Sequence, residues 1–227
     1  MPATRIPKAK RRTAAAALRP RKRPRQTRSS ATVEAILEAA ARVLAGESLA
    51  GFNTNRVAEV AGLSVGSLYQ YFPNKASLAA GLIERHQATL AAAVEAAVED
   101  LRGEPLERAL TALAELAVRQ QFAAPLLAAA LDHEEQRLPL RGVIEAAQAR
   151  IVRAVERLLA DHRARLPPEL PPDAARDCLI LAKALVEAAA PSATDPAAPR
   201  VAVDTADLVR RIQRALLGYL TVSAAAR

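Results

Sequence analysis

The sequence predicts an all-α protein, and three observations carry that expectation. Apolar residues recur at three-and-four spacing, as in Val33, Ile36, Leu37, Ala40, Val43 and Leu44, which is the mark of an amphipathic helix. Prolines separate the periodic segments. No stretch alternates polar and apolar residues in the manner of a half-buried strand.

The elements follow in order. A first helix begins past Ser29 and is expected to end at Gly46, with a loop holding Gly51 and Phe52 after it. Asn53 is a good N-cap for a second helix over 54–61. Gly62 sits where the chain needs positive φ, and Ser64 can cap a short third helix over 65–72. Pro73 forbids smooth continuation, Asn74 caps again, and a long fourth helix is predicted from 75 to about 101, before Gly103 and Pro105. Five more helices are predicted at about 105–123, 125–135, 139–165, 172–190 and 203–222, with a Pro- and Ala-rich loop at 191–200 expected to be mobile.

Composition narrows the class. A chain of 227 residues can bury its own core without staples. Its single cysteine, Cys178, cannot pair within the chain, which fits a reducing, cytoplasmic setting and removes disulfide scaffolds and zinc knuckles. No apolar run approaches the roughly 18 residues that would span a bilayer, so no membrane partner is expected.

The net charge of +8 is an N-terminal property. Arg5, Lys8, Lys10, Arg11, Arg12, Arg19, Arg21, Lys22, Arg23, Arg25 and Arg28 face no carboxylate within residues 1–28, and the rest of the chain is slightly acidic. Those residues lack the apolar block of a secretory signal and too little of their surface is apolar to offset ordering entropy. They read as a basic arm, disordered in isolation, that would bind a polyanion. The expected organisation is thus an arm at 1–28, a DNA-binding domain at 29–80 and a helical domain at 81–227.

Two short helices joined by a glycine-containing turn make a helix-turn-helix, in which the first helix braces the second for entry into the major groove. Ala58 is small where the helices cross, and Val57, Leu63 and Leu68 can form the core that sets their angle. Val65, Gly66, Ser67, Tyr69, Gln70 and Tyr71 are left outward or partly outward. Gln can bond adenine edges in a bidentate way, Ser can donate to bases or phosphates, Val can touch a thymine methyl, and Tyr hydroxyls can reach phosphate. Thr54, with Asn55 beside it, and Lys75 sit near helix starts, where backbone N–H groups favour a phosphate.

Residues 56–75, RVAEVAGLSVGSLYQYFPNK, resemble the DNA-binding signature of the tetracycline-repressor (TetR/AcrR) family, and the likeness spans about residues 30–80. The resemblance implies a homodimeric transcriptional regulator, most often a repressor that binds a palindromic double-stranded operator and is released by a small-molecule effector. Carried over by position, Thr54, Tyr71 and Lys75 match phosphate contacts, while Val65, Gly66, Ser67 and Gln70 match base-facing positions. Asn53 departs from the usual Thr or Ser but keeps a capping side chain.

Beyond residue 85 the reading rests on physics. Residues 178–186 are apolar nearly all round, as a helix buried between its own domain and a second copy would be, and Leu208, Val209, Ile212, Leu216, Tyr219 and Leu220 form a stripe on the last helix. These helices, about 172–190 and 203–222, are the expected dimer contact. The effector pocket should be mostly aliphatic, with His86, Gln121, Phe122 and Gln148 as candidate contacts and Gln120, His133 and Arg150 as weaker ones.

His133, Glu134 and Glu135 do not suggest a metal, because adjacent helical residues point apart. With no Gly-rich phosphate loop and no pair of histidines at i and i+4, neither a cofactor nor catalysis is implied. A nonspecific nucleic-acid binder acting through the basic arm is the rival of another class, and a cofactor-free helical enzyme is a weaker one.

Overall fold

The computed structural model describes residues 27–190 and 203–222. The basic arm up to residue 26 and the 191–200 loop fall outside the described residues. Nine α-helices are described: α1 Thr27–Gly51, α2 Thr54–Val60, α3 Val65–Tyr71, α4 Lys75–Asp100, α5 Leu106–Phe122, α6 Pro125–Arg137, α7 Arg141–Asp161, α8 Ala174–Ala189 and α9 Thr205–Thr221. There is no strand among the described residues.

Capping chemistry starts the early helices where the sequence predicts. Asn53 accepts from the Arg56 amide at 2.9 Å, Ser64 from the Ser67 amide at 3.1 Å, and Asn74 from the Ser77 amide at 2.7 Å. Ser77 returns the favour by accepting from the Asn74 amide at 3.2 Å, which completes a capping box at the head of α4. Gly62 has φ of 68° and Gly103 has φ of 82°, the left-handed region that a side chain would strain.

The expected stop at Gly46 is wrong. α1 runs on to Gly51, and Gly46 keeps a φ outside the left-handed region that a glycine cap needs. A helical glycine costs about 1 kcal/mol against alanine. That cost is offset by Leu49 packing against the N-terminal core and by Glu47 pairing with Arg56 at 2.7 Å. The other correction is smaller. The helix expected over 139–165 ends at Asp161, and a 3-10 turn, Arg163–Arg165, follows. Between them the buried His162 ties its ring to the carbonyls of Leu158 and Glu104, each at 2.9 Å, locking the end of α7 to the α4–α5 turn.

Two hydrophobic clusters organise the chain. The N-terminal one gathers Ile36, Val43, Leu44, Phe52, Val57, Ala58, Leu68, Phe72, Leu78, Leu82 and Ile83, and α6 closes it with Ala130 and Leu131. The C-terminal one joins α4, α5, α7, α8 and α9 through residues such as Val94, Leu110, Ile151, Leu158, Cys178, Ile212 and Leu216. α4 belongs to both, its first two turns in one cluster and its later turns in the other.

α4 crosses the recognition end of the domain at Gly81. A Cβ added there would meet Phe72 Cε1 at 2.8 Å and Leu37 Cδ2 at 3.4 Å, with both neighbours buried. Gly81→Ala is therefore expected to lower stability by about 1–3 kcal/mol despite alanine's better helix propensity, read as a fall in the urea midpoint. An unchanged or raised midpoint would show that the crossing has slack.

Candidate nucleic-acid interface and ligand cavity

The first site is the outer face of α3 with the heads of α2 and α4. Leu68 and Phe72 are fully buried, so the underside of α3 is held to α1, α2 and α4. The outer face is turned to solvent: Val65 is 36% and Tyr69 41% exposed, large side chains left partly open. Gly66 and Gln70 are exposed beside them, and Asn55 and Lys75 flank them. Thr54, Ser67 and Tyr71 are half-buried, Tyr71 against the N-terminal cluster.

Hydrogen bonds preorganise this face. The Thr54 and Tyr69 hydroxyls lie 3.1 Å apart and link α2 to α3, and the Ser64 and Ser67 hydroxyls lie 2.8 Å apart at the head of α3. Lys75 holds its ammonium 5.3 Å from the centre of the Phe52 ring, a cation–π contact that keeps the charge beside the interface. Arg56 instead is engaged by Glu47 at 2.7 Å and Glu59 at 2.9 Å, whose hydrogen bonds raise its pKa, and so it braces α1 against α2.

Gly66 is a different case from Gly81. A Cβ there would meet only Ser64 Oγ, at 3.9 Å, so nothing inside the fold requires glycine. Gly66→Ala is expected to leave the melting temperature unchanged or slightly raised, yet to weaken duplex binding where the backbone must approach a base or phosphate. Unimpaired binding by this variant would mean that α3 does not approach the duplex at Gly66.

The second site is a cavity of about 200 Å³ within the C-terminal cluster. Its wall is mostly aliphatic, with Leu90, Leu110, Leu113, Ile151, Val155, Ile212 and Leu216 drawn from α4, α5, α7 and α9. Of the predicted contacts, His86, Gln121 and Gln148 line it, as does Gln120. Phe122 packs against the same cluster without lining the cavity. His133 is exposed with its ring 3.3 Å from Arg137, and Arg150 is spent on a bidentate pair with Glu95 at 3.0 and 2.6 Å.

Sequence reading missed the polar groups of this wall: Gln87, Asp132, Glu135, Lys183 and Glu187. The available signal was helical spacing, since Asp132 and Glu135 are three apart on α6 and share a face. Burial holds the His86 imidazole below its ordinary pKa, with Arg85 adding to the effect and Asp132 opposing it. Burial likewise raises Glu135, and pushes the Cys178 thiol up to about 12, which leaves it an inert wall residue. No group of three His, Cys, Asp or Glu side chains suited to a metal ion occurs among the described residues. None of their helices is long and apolar enough to cross a membrane.

A braced helix-turn-helix and a ligand-sized cavity behind it, joined by one long helix, define a sensor that reads nucleic acid. The family model for bacterial regulatory proteins of the tetR family matches residues 36–82, and that for the tetracyclin repressor-like C-terminal domain matches residues 105–220. The chain belongs to the tetR family and is a DNA-binding transcriptional regulator with a ligand-binding domain.

Solved structures agree on the fold. One described as a TetR-family regulator from Mesorhizobium loti has a TM-score of 0.66 at 20% identity, covering 87% of this chain and 100% of that one. The fatty acid degradation regulator FadR from Bacillus halodurans gives 0.62 at 19%, covering 87% and 97%. NalD from Pseudomonas aeruginosa, the secondary repressor of a multidrug efflux pump, gives 0.57 at 20%, covering 85% and 98%. A comparison with curated protein sequences found no match.

Proposed function

We propose that this protein is a cytoplasmic homodimeric repressor. It holds a palindromic operator through α3 and releases it when a small, largely apolar effector enters the cavity. Residues 29–80 do the reading, residues 81–227 bind effector and partner, and the basic arm at 1–28 adds phosphate contacts.

The observation that carries this reading is that the two sites share structural parts. Leu131 of α6 is buried in the core beneath α3 and also lines the cavity. α4 carries Lys75 at the DNA face and His86, Gln87, Leu90 and Val94 in the cavity wall. A ligand that spreads α6 from α4 therefore changes the seat of the reading head. The effector acts by its differential affinity for the two arrangements, with a coupling of about 1–3 kcal/mol typical of such systems.

Dimerisation is supported on α8 by an exposed apolar row, whereas the expected α9 stripe of Leu208, Ile212, Leu216 and Leu220 is buried in this chain's own C-terminal core. Ile180, Ala184 and Ala188 are exposed at four-residue spacing on α8, with Leu181 and Leu185 half-buried beside them. NalD, which shares the fold, is a repressor, and that favours repression over activation here.

The test is selection of duplexes from a randomised pool with the full chain. The expected product is a palindrome whose half-sites lie about 10 base pairs apart or a multiple of that. On it, Gln70→Ala should lose about 1–3 kcal/mol of discrimination at one position of each half-site while keeping its nonspecific affinity. Equal affinity for all duplexes, set only by salt, would replace this reading with nonspecific binding through the arm.

A further inference from the structure

The charge pattern of the cavity, taken with the effector reading above on which it rests, points to the chemistry of the ligand. The aliphatic wall ends in a polar edge built by α4, α6 and α8, and three carboxylates, Asp132, Glu135 and Glu187, stand there against one ammonium, Lys183. Lys183 is already paired with Glu187 at 3.5 Å.

Asp132 and Glu135 have no such counter-ion. Among the described residues, no Lys, Arg or His nitrogen pairs with either within 4.0 Å. Their hydrogen bonds come from neutral amides: Gln121 Nε2 donates to Asp132 Oδ2 at 3.2 Å, and Gln87 Nε2 to Glu135 Oε1 at 2.6 Å. Each amide can orient a carboxylate but cannot neutralise it. Glu135 is half-buried and its pKa is raised, chiefly by burial, which disfavours its charged form. Burial lowers the pKa of the nearby His86 and so disfavours its charged form, against the pull of Asp132.

The half-buried Glu135 and the exposed Asp132, each held by an amide at the rim of an apolar space, have no ion-pair partner of their own among the described residues. We propose that the effector is a compact amphipathic cation, with its head group at Asp132 and Glu135 and its hydrocarbon body among Leu110, Leu113, Ile151 and Leu216. The ion pair forms at the edge of a low-dielectric wall, where a cation meets carboxylates already oriented. The volume of about 200 Å³ sets the scale, below the roughly 300–1,000 Å³ of drug-sized sites, so a short-chain amphiphile fits better than a long lipid.

Three probes with one hydrocarbon body and different heads test this by calorimetry on the full chain: octyltrimethylammonium, 1-octanol and octanoate. The cation should bind at least about tenfold more tightly than the alcohol, a difference of about 1.4 kcal/mol, and octanoate should bind most weakly. The double variant Asp132→Asn, Glu135→Gln should reduce the cation's affinity to that of the alcohol while its octanol and duplex binding persist, which shows that it folds. Octanoate or octanol binding as tightly as the cation, a double variant that keeps the cation preference, or no binding by any probe would each overturn the proposal.

Adding the selected duplex separates the two ideas. A neutral or anionic probe that binds and releases DNA leaves the repressor reading intact and sinks only the charge assignment. Cation binding without release does the reverse.

Discussion

Phe72→Ala is expected to destabilise the protein by about 3–5 kcal/mol and to abolish sequence-selective DNA binding at ordinary temperature. Phe72 is fully buried and among the largest side chains of the N-terminal cluster. Its amide donates to Leu68 O at 2.9 Å, so the same residue ends α3 and fills the space beneath it. The ring also defines how closely α4 can cross at Gly81. Removing it empties the volume that keeps α3 at a fixed angle to α2 and α4, and the face carrying Val65, Gly66 and Gln70 loses its support. Denaturant titration followed by circular dichroism, with duplex binding on the same samples, reads both effects. Phe72→Leu should lose less in each. Full operator affinity in Phe72→Ala would mean that α3 does not depend on this core.

Ile180→Glu should convert the protein toward monomer and with it remove operator binding. The side chain is 57% exposed in the single chain, on the apolar row proposed to meet a second copy. A two-fold interface presents each substitution twice, so two carboxylates would face each other in an apolar contact without counter-ions. The expected weakening of the dimer is about 3 kcal/mol or more, roughly a hundredfold in its dissociation constant. Sedimentation across a concentration series measures it. Because the position is exposed in the single chain, the variant should keep its helical content, which separates dissociation from unfolding. An unchanged mass, or full affinity for the palindrome from a monomer, would move the dimer contact elsewhere.

Much of the reading head was legible in the residues because its determinants are local. Asn53, Ser64 and Asn74 cap helices through amides three residues away, and Gly62 meets a backbone demand of its own turn. Such signals need no knowledge of what packs overhead. Gly46 is the counterexample. Its local preference for a helix end loses to Leu49 burial and to the Glu47–Arg56 pair, contacts made with residues beyond the helix. Tyr69 and Tyr71 show the same limit in a milder form: both were legible as aromatic neighbours of the reading face, but only packing separates the exposed Tyr69 from the half-buried Tyr71.

The cavity was the least legible part. Its lining comes from six helices spread between residues 86 and 216, and most of the wall is Ala, Leu, Ile or Val, indistinguishable in sequence from ordinary core. His86 and Gln121 could be guessed as polar residues in an apolar region, yet Gln87 and Glu135, which bond each other across α4 and α6, could not. Phe122 drew notice as a lone aromatic and is core packing.

By itself the sequence determined the helical class, the position of the reading head and the caps that start its helices, because short-range spacing and turn chemistry decide these. The tertiary structure alone decided which carboxylates look into the cavity, where Gly81 and Phe72 touch, and that Leu131 packs in the N-terminal core while lining the cavity. Those outcomes depend on long-range contacts between helices, whose packing angles no local pattern encodes.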